Sequence, residues 1–79
     1  MKLLFTSTIA VGRKKLDYTI YQFRLHPDRY KAESSLTGKP KEEIFFEKRK
    51  SGWKADRKDC QKLAEVFGLK IEALQKGRQ

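Results

Sequence analysis

Apolar and polar side chains alternate with a period of two along the first third of this chain. In residues 3–11, one face would carry Leu3, Phe5, Ser7, Ile9 and Val11 and the other Leu4, Thr6, Thr8 and Ala10, which predicts a β-strand. Residues 12–15 form a basic turn that begins with glycine, and residues 16–25 predict a second strand. The apolar phase of that strand changes between Ile20 and Tyr21. The change predicts either a β-bulge or a central strand that is covered on both faces.

The middle of the chain predicts further strands. Pro27 stops the second strand because proline fixes φ and has no N–H to give to the ladder. Residues 29–36 alternate as a weak edge strand, although Pro27 is equally suited to the first position of a short helix; we favour the strand. Residues 37–40 predict a turn because they contain glycine and proline. Residues 42–48 predict another strand, with Phe45 on the face away from the core.

A helix is predicted for the C-terminal part of the chain. Four apolar residues recur there at positions i, i+3, i+4 and i+7, which is the spacing of one helix face. We expect Asp56 to be the N-cap of this helix, Gly68 to end it in a left-handed conformation, and residues 70–76 to add one or two further turns. Leu63 and Phe67 are expected to face the sheet. The apolar stripe consists of Cys60, Leu63, Ala64 and Phe67.

Strands that precede a helix indicate an α+β domain. We predict a small antiparallel sheet of three to four strands, arranged as a β-meander, followed by a C-terminal helix packed on one face. At 79 residues the chain has room for one small core, so residues 1–79 are expected to form a single basic domain.

The predicted order of elements is similar in outline to that of two families of DNA-binding domains. These are the arm-binding domains of tyrosine integrases and the plant AP2 domains, whose sheets enter the major groove. A four-stranded version looks like the fold of the single-stranded DNA-binding coactivators. The resemblance lies in element order alone, without a shared motif, so it implies contact between sheet and DNA by analogy only.

Residues 60–77 partly resemble a helix-turn-helix motif, with Gly68 in the turn. The resemblance implies that a second helix begins after Gly68 and reads a DNA groove. It departs from the pattern at Ile71, which is apolar where a recognition helix faces solvent, and at Gly77, where an apolar anchor is expected. The alternative is a glycine cap followed by a docking tail. The matching residues are Ala64, Gly68, Leu69 and Leu74.

Positive charge is the strongest functional signal. The chain has 19 Lys and Arg against 10 Asp and Glu, a net charge of +9, which favours a polyanionic partner. Residues 48–58 hold six cations and one acid, and a second cluster occupies the first hairpin tip. We predict that these cations bind nucleic-acid phosphates, with Trp53 or Tyr21 stacking on bases; alternatively, Trp53 covers the core beside Phe46 and Phe67. The predicted interface consists of Arg13, Lys14, Lys15, Lys48, Arg49, Lys50, Trp53, Lys54 and Arg57.

Cysteine and histidine each occur once, as Cys60 and His26. An internal disulfide and a cysteine-based zinc site are therefore excluded, and we expect no metal or cofactor. Cys60 lies on the apolar stripe and is expected to be an inert, buried thiol. The N-terminus lacks a signal-peptide cleavage site, and no segment approaches the roughly 20 apolar residues of a membrane span. We expect a cytoplasmic location without membrane attachment.

The first functional hypothesis is a nucleic-acid-binding protein that is not an enzyme, binding DNA or RNA through its basic loops. A second is a protein-binding module, such as a small phage or plasmid protein that docks on an acidic host protein. A third is a small ribonuclease toxin in which His26 acts as general base beside Arg24 and Arg29. An exposed edge strand would in addition allow a homodimer.

Overall fold

The computed structural model describes residues 1–34 and 42–76. Five antiparallel strands form one sheet in the order β1-β2-β3-β4-β5, and a single helix packs on one of its faces. The α+β class is confirmed, but the sheet has five strands and not three to four. The elements are β1 (Lys2–Val11), β2 (Lys14–Gln22), β3 (Arg29–Ser34), β4 (Glu43–Arg49), β5 (Gly52–Ala55), a 3-10 turn (Lys58–Cys60) and α1 (Gln61–Lys76).

The additional strand is β5, which lies inside the segment that the charge pattern marks as a loop. Gly52 has a φ of 124°, a conformation that glycine adopts readily, and it turns the chain back along β4. Trp53 pairs with Lys48 and Ala55 pairs with Phe46. The strand has only four residues, too few for its alternation to stand out among the lysines. Consequently residues 48–58 extend along a strand rather than cluster in one loop.

Two features that the sequence left open are the structure of residues 29–36 and the change of apolar phase in β2, and the strand pairing of the described residues decides both. Residues 29–34 form β3, as favoured, while residues 35 and 36 and the turn expected at 37–40 lie outside the described residues. The change of phase in β2 coincides with a register shift, but the shift lies in the neighbouring strand. It falls between Leu3 and Phe5 of β1, opposite Tyr21 and Ile20.

The core lies between α1 and one face of the sheet. Phe67 is fully buried, and its ring centroid lies 5.2 Å from that of Tyr18 and 5.8 Å from that of Phe46. The predicted inward orientation of Phe67 is confirmed, whereas Leu63 is only partly buried. Aromatic rings in such edge and tilted arrangements supply much of the packing in so small a core.

The helix does not begin at Asp56 as expected. A 3-10 turn precedes it, the residue at the cap position is Arg57, and no side chain caps that turn. Gln61, the first residue of α1, binds the backbone of β5 instead. Its Oε1 accepts a hydrogen bond from the N–H of Ala55 (3.0 Å), and its Nε2 donates one to the C=O of Trp53 (2.7 Å).

Gly68 does not end the helix, which continues without a break to Lys76. The expected left-handed cap is therefore wrong, and so is the turn that the resemblance to a helix-turn-helix motif requires. A Cβ on Gly68 would overlap the indole ring of Trp53. The glycine is thus needed for the close approach of a side chain to the helix and not for a turn.

We predict that Gly68→Ala destabilises the protein. Alanine favours a helix by about 1 kcal/mol over glycine, but the overlap with Trp53 costs more than that gain, since overpacking typically costs about 1–3 kcal/mol. Thermal unfolding monitored by circular dichroism measures the difference. In a Trp53→Leu background the smaller side chain leaves room for the methyl group, so the same substitution is expected to be neutral or stabilising. Equal losses in both backgrounds would contradict the packing role.

Candidate nucleic-acid interface

The helix covers one face of the sheet, and the other face carries no helix in the described part of the chain. We call the latter the open face. Because directly opposed residues on neighbouring strands lie on the same face, the register assigns side chains to it without ambiguity. The aromatic and basic side chains that the register places on the open face are Lys15, Tyr21, Arg29, Lys31, Phe45, Arg49 and Lys54. Phe23, just after β2, joins them through its ring contact with Phe45.

The two basic clusters lie at opposite ends of the sheet. Strands β2 and β4 run in the same direction, so the β1–β2 turn lies at their starting end and the β4–β5 turn at their finishing end. The molecule is 37 Å long in its longest dimension. Lys15 therefore lies at the other end of the open face from Arg49, and Arg13 and Lys14, in and just after the β1–β2 turn, are likewise distant from Lys50.

The cluster at residues 48–58 is itself divided. Arg49 and Lys54 lie on the open face, with Lys50 in the turn beside them. Lys48 points to the helix side, where its Nζ lies 3.9 Å from Glu72. Arg57 follows β5, with its guanidinium 3.4 Å from Glu42, the residue just before β4. Only three of these predicted contacts thus fall together.

A groove occurs where the open face meets the β2–β3 loop, and strands β4 and β5 form its other wall. We call it the corner groove; it has a volume of about 400 Å³. The ring centroids of Phe23 and Phe45 lie 6.2 Å apart within it, and Phe45 remains 39% exposed. The histidine and the charged side chains that line it are His26, Arg29, Glu47, Arg49, Lys54 and Asp56.

Glu47 partly neutralises the groove. Its carboxylate lies 2.6 Å from Nη2 of Arg49 and 4.0 Å from Nε of Arg29, so one acid holds two guanidinium groups. Lys54 stands opposite Glu47 in the register but makes no ion pair with any residue that the structure describes. An incoming phosphate therefore meets one unpaired ammonium and competes with Glu47 for the two arginines.

Trp53 lies in the core, which supports the second interpretation of this residue. Trp53 is only 9% exposed to solvent. The centroid of its ring lies 5.3 Å from that of Tyr30 and 5.8 Å from that of Phe46. Nε1 donates a hydrogen bond to Glu72 (3.1 Å). With its ring enclosed in this way, Trp53 has no open surface for a base, and we leave it out of the interface.

Sequence reasoning missed the aromatic floor of the groove, and it named Arg29 only in the ribonuclease hypothesis and not among the residues of the predicted interface. The signal was present, because Phe45 lies on the face of β4 opposite to the core, and Phe23, one residue after β2, continues the alternation that puts Tyr21 on that face. Large aromatic residues on an uncovered sheet face call for an explanation. Tyr21 does lie on the open face as expected of a stacking residue, with Nζ of Lys31 5.3 Å from its ring centroid.

Other chemistry in the described residues is limited. Cys60 is buried, and burial raises the pKa of its thiol although the neighbouring Arg57 opposes the change. Within residues 1–34 and 42–76, no cluster of three or more His, Cys, Asp or Glu side chains is arranged to hold a metal ion. Over the same residues no helix has the length and apolar character to cross a membrane.

Comparison of the chain with profiles of known protein families, with curated proteins and with solved structures finds no match.

Proposed function

We propose that the protein binds single-stranded nucleic acid in the corner groove. The observation that carries this proposal is the combination of an uncovered aromatic floor with a basic rim on one sheet face. Proteins that bind single strands combine cationic side chains, which follow the phosphates, with aromatic rings on which bases stack. A base lying on Phe45 would place its backbone along the rim.

Phosphate contacts are assigned to Arg29, Arg49 and Lys54, with Lys50 next to them in the turn. The first two are arginines, which bind phosphate oxygens with paired N–H groups. The net charge of +9 supports the same conclusion, because it attracts polyanions from a distance. Lys48 and Arg57 are given no direct contact, since each faces a carboxylate elsewhere.

Two alternative functions for the protein are a ribonuclease and a module that binds an acidic protein. His26 lines it together with Arg29, so the ribonuclease hypothesis has its general base beside a phosphate-binding residue. RNA recovered from the binding assay should therefore be inspected on a gel: intact RNA favours binding alone, and cleavage that disappears in His26→Ala favours the enzyme. An acidic protein partner becomes the leading hypothesis if no oligonucleotide binds at low salt.

We predict that binding of a short single strand of about eight nucleotides depends on the groove cations and not on the hairpin tip. Replacing Arg49, Lys50 and Lys54 together by alanine removes up to three phosphate contacts. The slope of log K against log salt should then flatten by about 2 units, at about 0.7 per phosphate. The matched control replaces residues 13–15 by alanine, and it is expected to leave the slope nearly unchanged. Fluorescence anisotropy of a labelled oligonucleotide measures both; equal effects would contradict the assignment.

Phe45 is predicted to supply stacking energy. Phe45→Ala should weaken binding to single strands by about 1–3 kcal/mol without changing the salt slope, because a ring contributes stacking but no charge. Binding to duplex DNA should change much less, since paired bases are not free to stack on the floor. Leu69→Ala removes a side chain that is 66% exposed on α1 and serves as the control. A change in salt slope, or an equal loss with Leu69→Ala, would count against stacking.

Glu47 is predicted to compete with the ligand. Glu47→Gln should tighten binding several-fold, because it releases Arg29 and Arg49 from the carboxylate and leaves their charges to the phosphates. Glu65→Gln makes the same change of net charge on an exposed position of the helix and should tighten binding less. Titrations of the two variants at one salt concentration decide the matter. If Glu47→Gln weakens binding in a variant that folds normally, the ligand does not occupy the position between the arginines.

A further inference from the structure

Strand β1 is an edge strand with one side of its backbone unpaired by any described strand. It has 10 residues, whereas β5 at the other edge has four. From Leu3 to Val11 it contains no charged residue, although 37% of the chain is charged. Monomeric proteins usually protect such edges with lysine, proline, bulges or short strands. The register shift near Leu4 interrupts only the first residues of β1.

The opposite edge is protected. The outward N–H of Ala55 and the outward C=O of Trp53 are both bound by the side chain of Gln61. Lys54 adds a charge to this short strand. The sheet thus has one closed edge and one open edge, and the open edge is the longer one.

The sequence of β1 is complementary to itself when two copies pair in antiparallel orientation about Ser7. Phe5 of one copy then stands opposite Ile9 of the other, and Thr6 stands opposite Thr8. Aromatic–β-branched pairs and threonine pairs are among the favourable cross-strand combinations. No charged side chain opposes another over this stretch, despite the strong positive charge of each copy.

The side chains next to the open edge have room for such a pairing. Phe5 and Ile9 face the helix side but are only partly buried. A groove of about 410 Å³ separates the start of β1 from the second half of α1, with Phe5, Lys70 and Leu74 among its lining residues. In the antiparallel register, Phe5 and Ile9 of the two copies would cover each other.

We propose that the protein forms a two-fold symmetric homodimer in which the two β1 strands pair antiparallel about Ser7. The two sheets then become one continuous sheet, held by main-chain hydrogen bonds and by the self-complementary side-chain pairs. A second copy is the occupant because the strand matches its own reversed sequence and because residues 3–11 carry no charge that would repel an identical strand. Lys70 of α1, whose Nζ donates a hydrogen bond to Oγ of Ser7, is held on the helix side.

The pairing also brings the β1–β2 hairpin tip of one copy toward the corner groove of the other. The role that this arrangement has in binding rests on the proposed function. Within one chain the tip and the groove lie at opposite ends of the strands. Two-fold pairing reverses the direction of the partner, so its hairpin tip lies at the same end of the continuous sheet as this chain's groove. A longer nucleic acid could then contact the groove of one copy and Arg13 and Lys15 of the other.

Sedimentation equilibrium of the protein free of nucleic acid, up to about 0.1 mM, tests the dimer separately from the proposed function. We expect a mass approaching twice that of the 9.3 kDa chain. Thr6→Lys/Thr8→Lys places like charges opposite each other across the interface and should weaken dimerisation about tenfold. Asp17, which accepts a hydrogen bond from Thr8 in the native protein, can still pair with the new lysine. Glu65→Lys adds the same charge on the helix and should leave the dimer intact.

A disulfide experiment tests the register without depending on charge. Thr6→Cys and Thr8→Cys variants are mixed and oxidised gently, and the expected product is a mixed dimer linked between positions 6 and 8. Thr19→Cys, on β2 opposite Thr6, controls for random collision. A monomer at the highest concentration overturns the proposal, as does a Thr6–Thr8 cross-link no faster than the Thr19 control. Circular dichroism of each variant confirms that a loss of dimer is not a loss of fold.

Discussion

The contact between the indole of Trp53 and the helix at Gly68 determines where the helix lies. The ring fits against α1 only because position 68 has no side chain, and its Nε1 is fixed by Glu72 one turn further along. Since Trp53 belongs to the edge strand β5, this contact draws the helix toward that side of the sheet. The strands at the other side keep side chains that the helix covers only in part.

This placement of the helix accounts for the surfaces that remain uncovered. A layer of one helix cannot cover both faces of a five-stranded sheet, so the face with Phe23 and Phe45 keeps exposed aromatic area. The β2–β3 loop and the β4–β5 turn lie at the same end of that face, where the backbone N–H of Lys48 in β4 donates a hydrogen bond to the C=O of Asp28 in the β2–β3 loop (2.8 Å). This backbone bond between the loop and strand β4 holds one wall of the groove in place.

Much of the fold followed from periodicity, while the interface did not. The alternation in β1 and β2 and the apolar stripe with Phe67 are long enough for their periods to identify them. Strand β5 was missed because four residues with a central lysine look like part of a charged loop. Gly68 was misinterpreted because a glycine demanded by a distant tryptophan is indistinguishable in sequence from one demanded by a turn. Arg29, Arg49 and Lys54 come together because β3, β4 and β5 are neighbours in the sheet. The order of strands in a sheet cannot be inferred from the charge pattern along the chain.

The side-chain amide of Gln61 has an effect on the sheet as a whole. It occupies one donor and one acceptor on the outer side of β5, as an additional strand would do. A sheet that can be extended at both edges is able to add chain after chain and grow into a fibre. In the proposed dimer, joined through β1, the two remaining edges are the β5 strands, and each is protected by Gln61, by Lys54 and by its length of four residues. Gln61 thereby favours an assembly that closes over one that propagates.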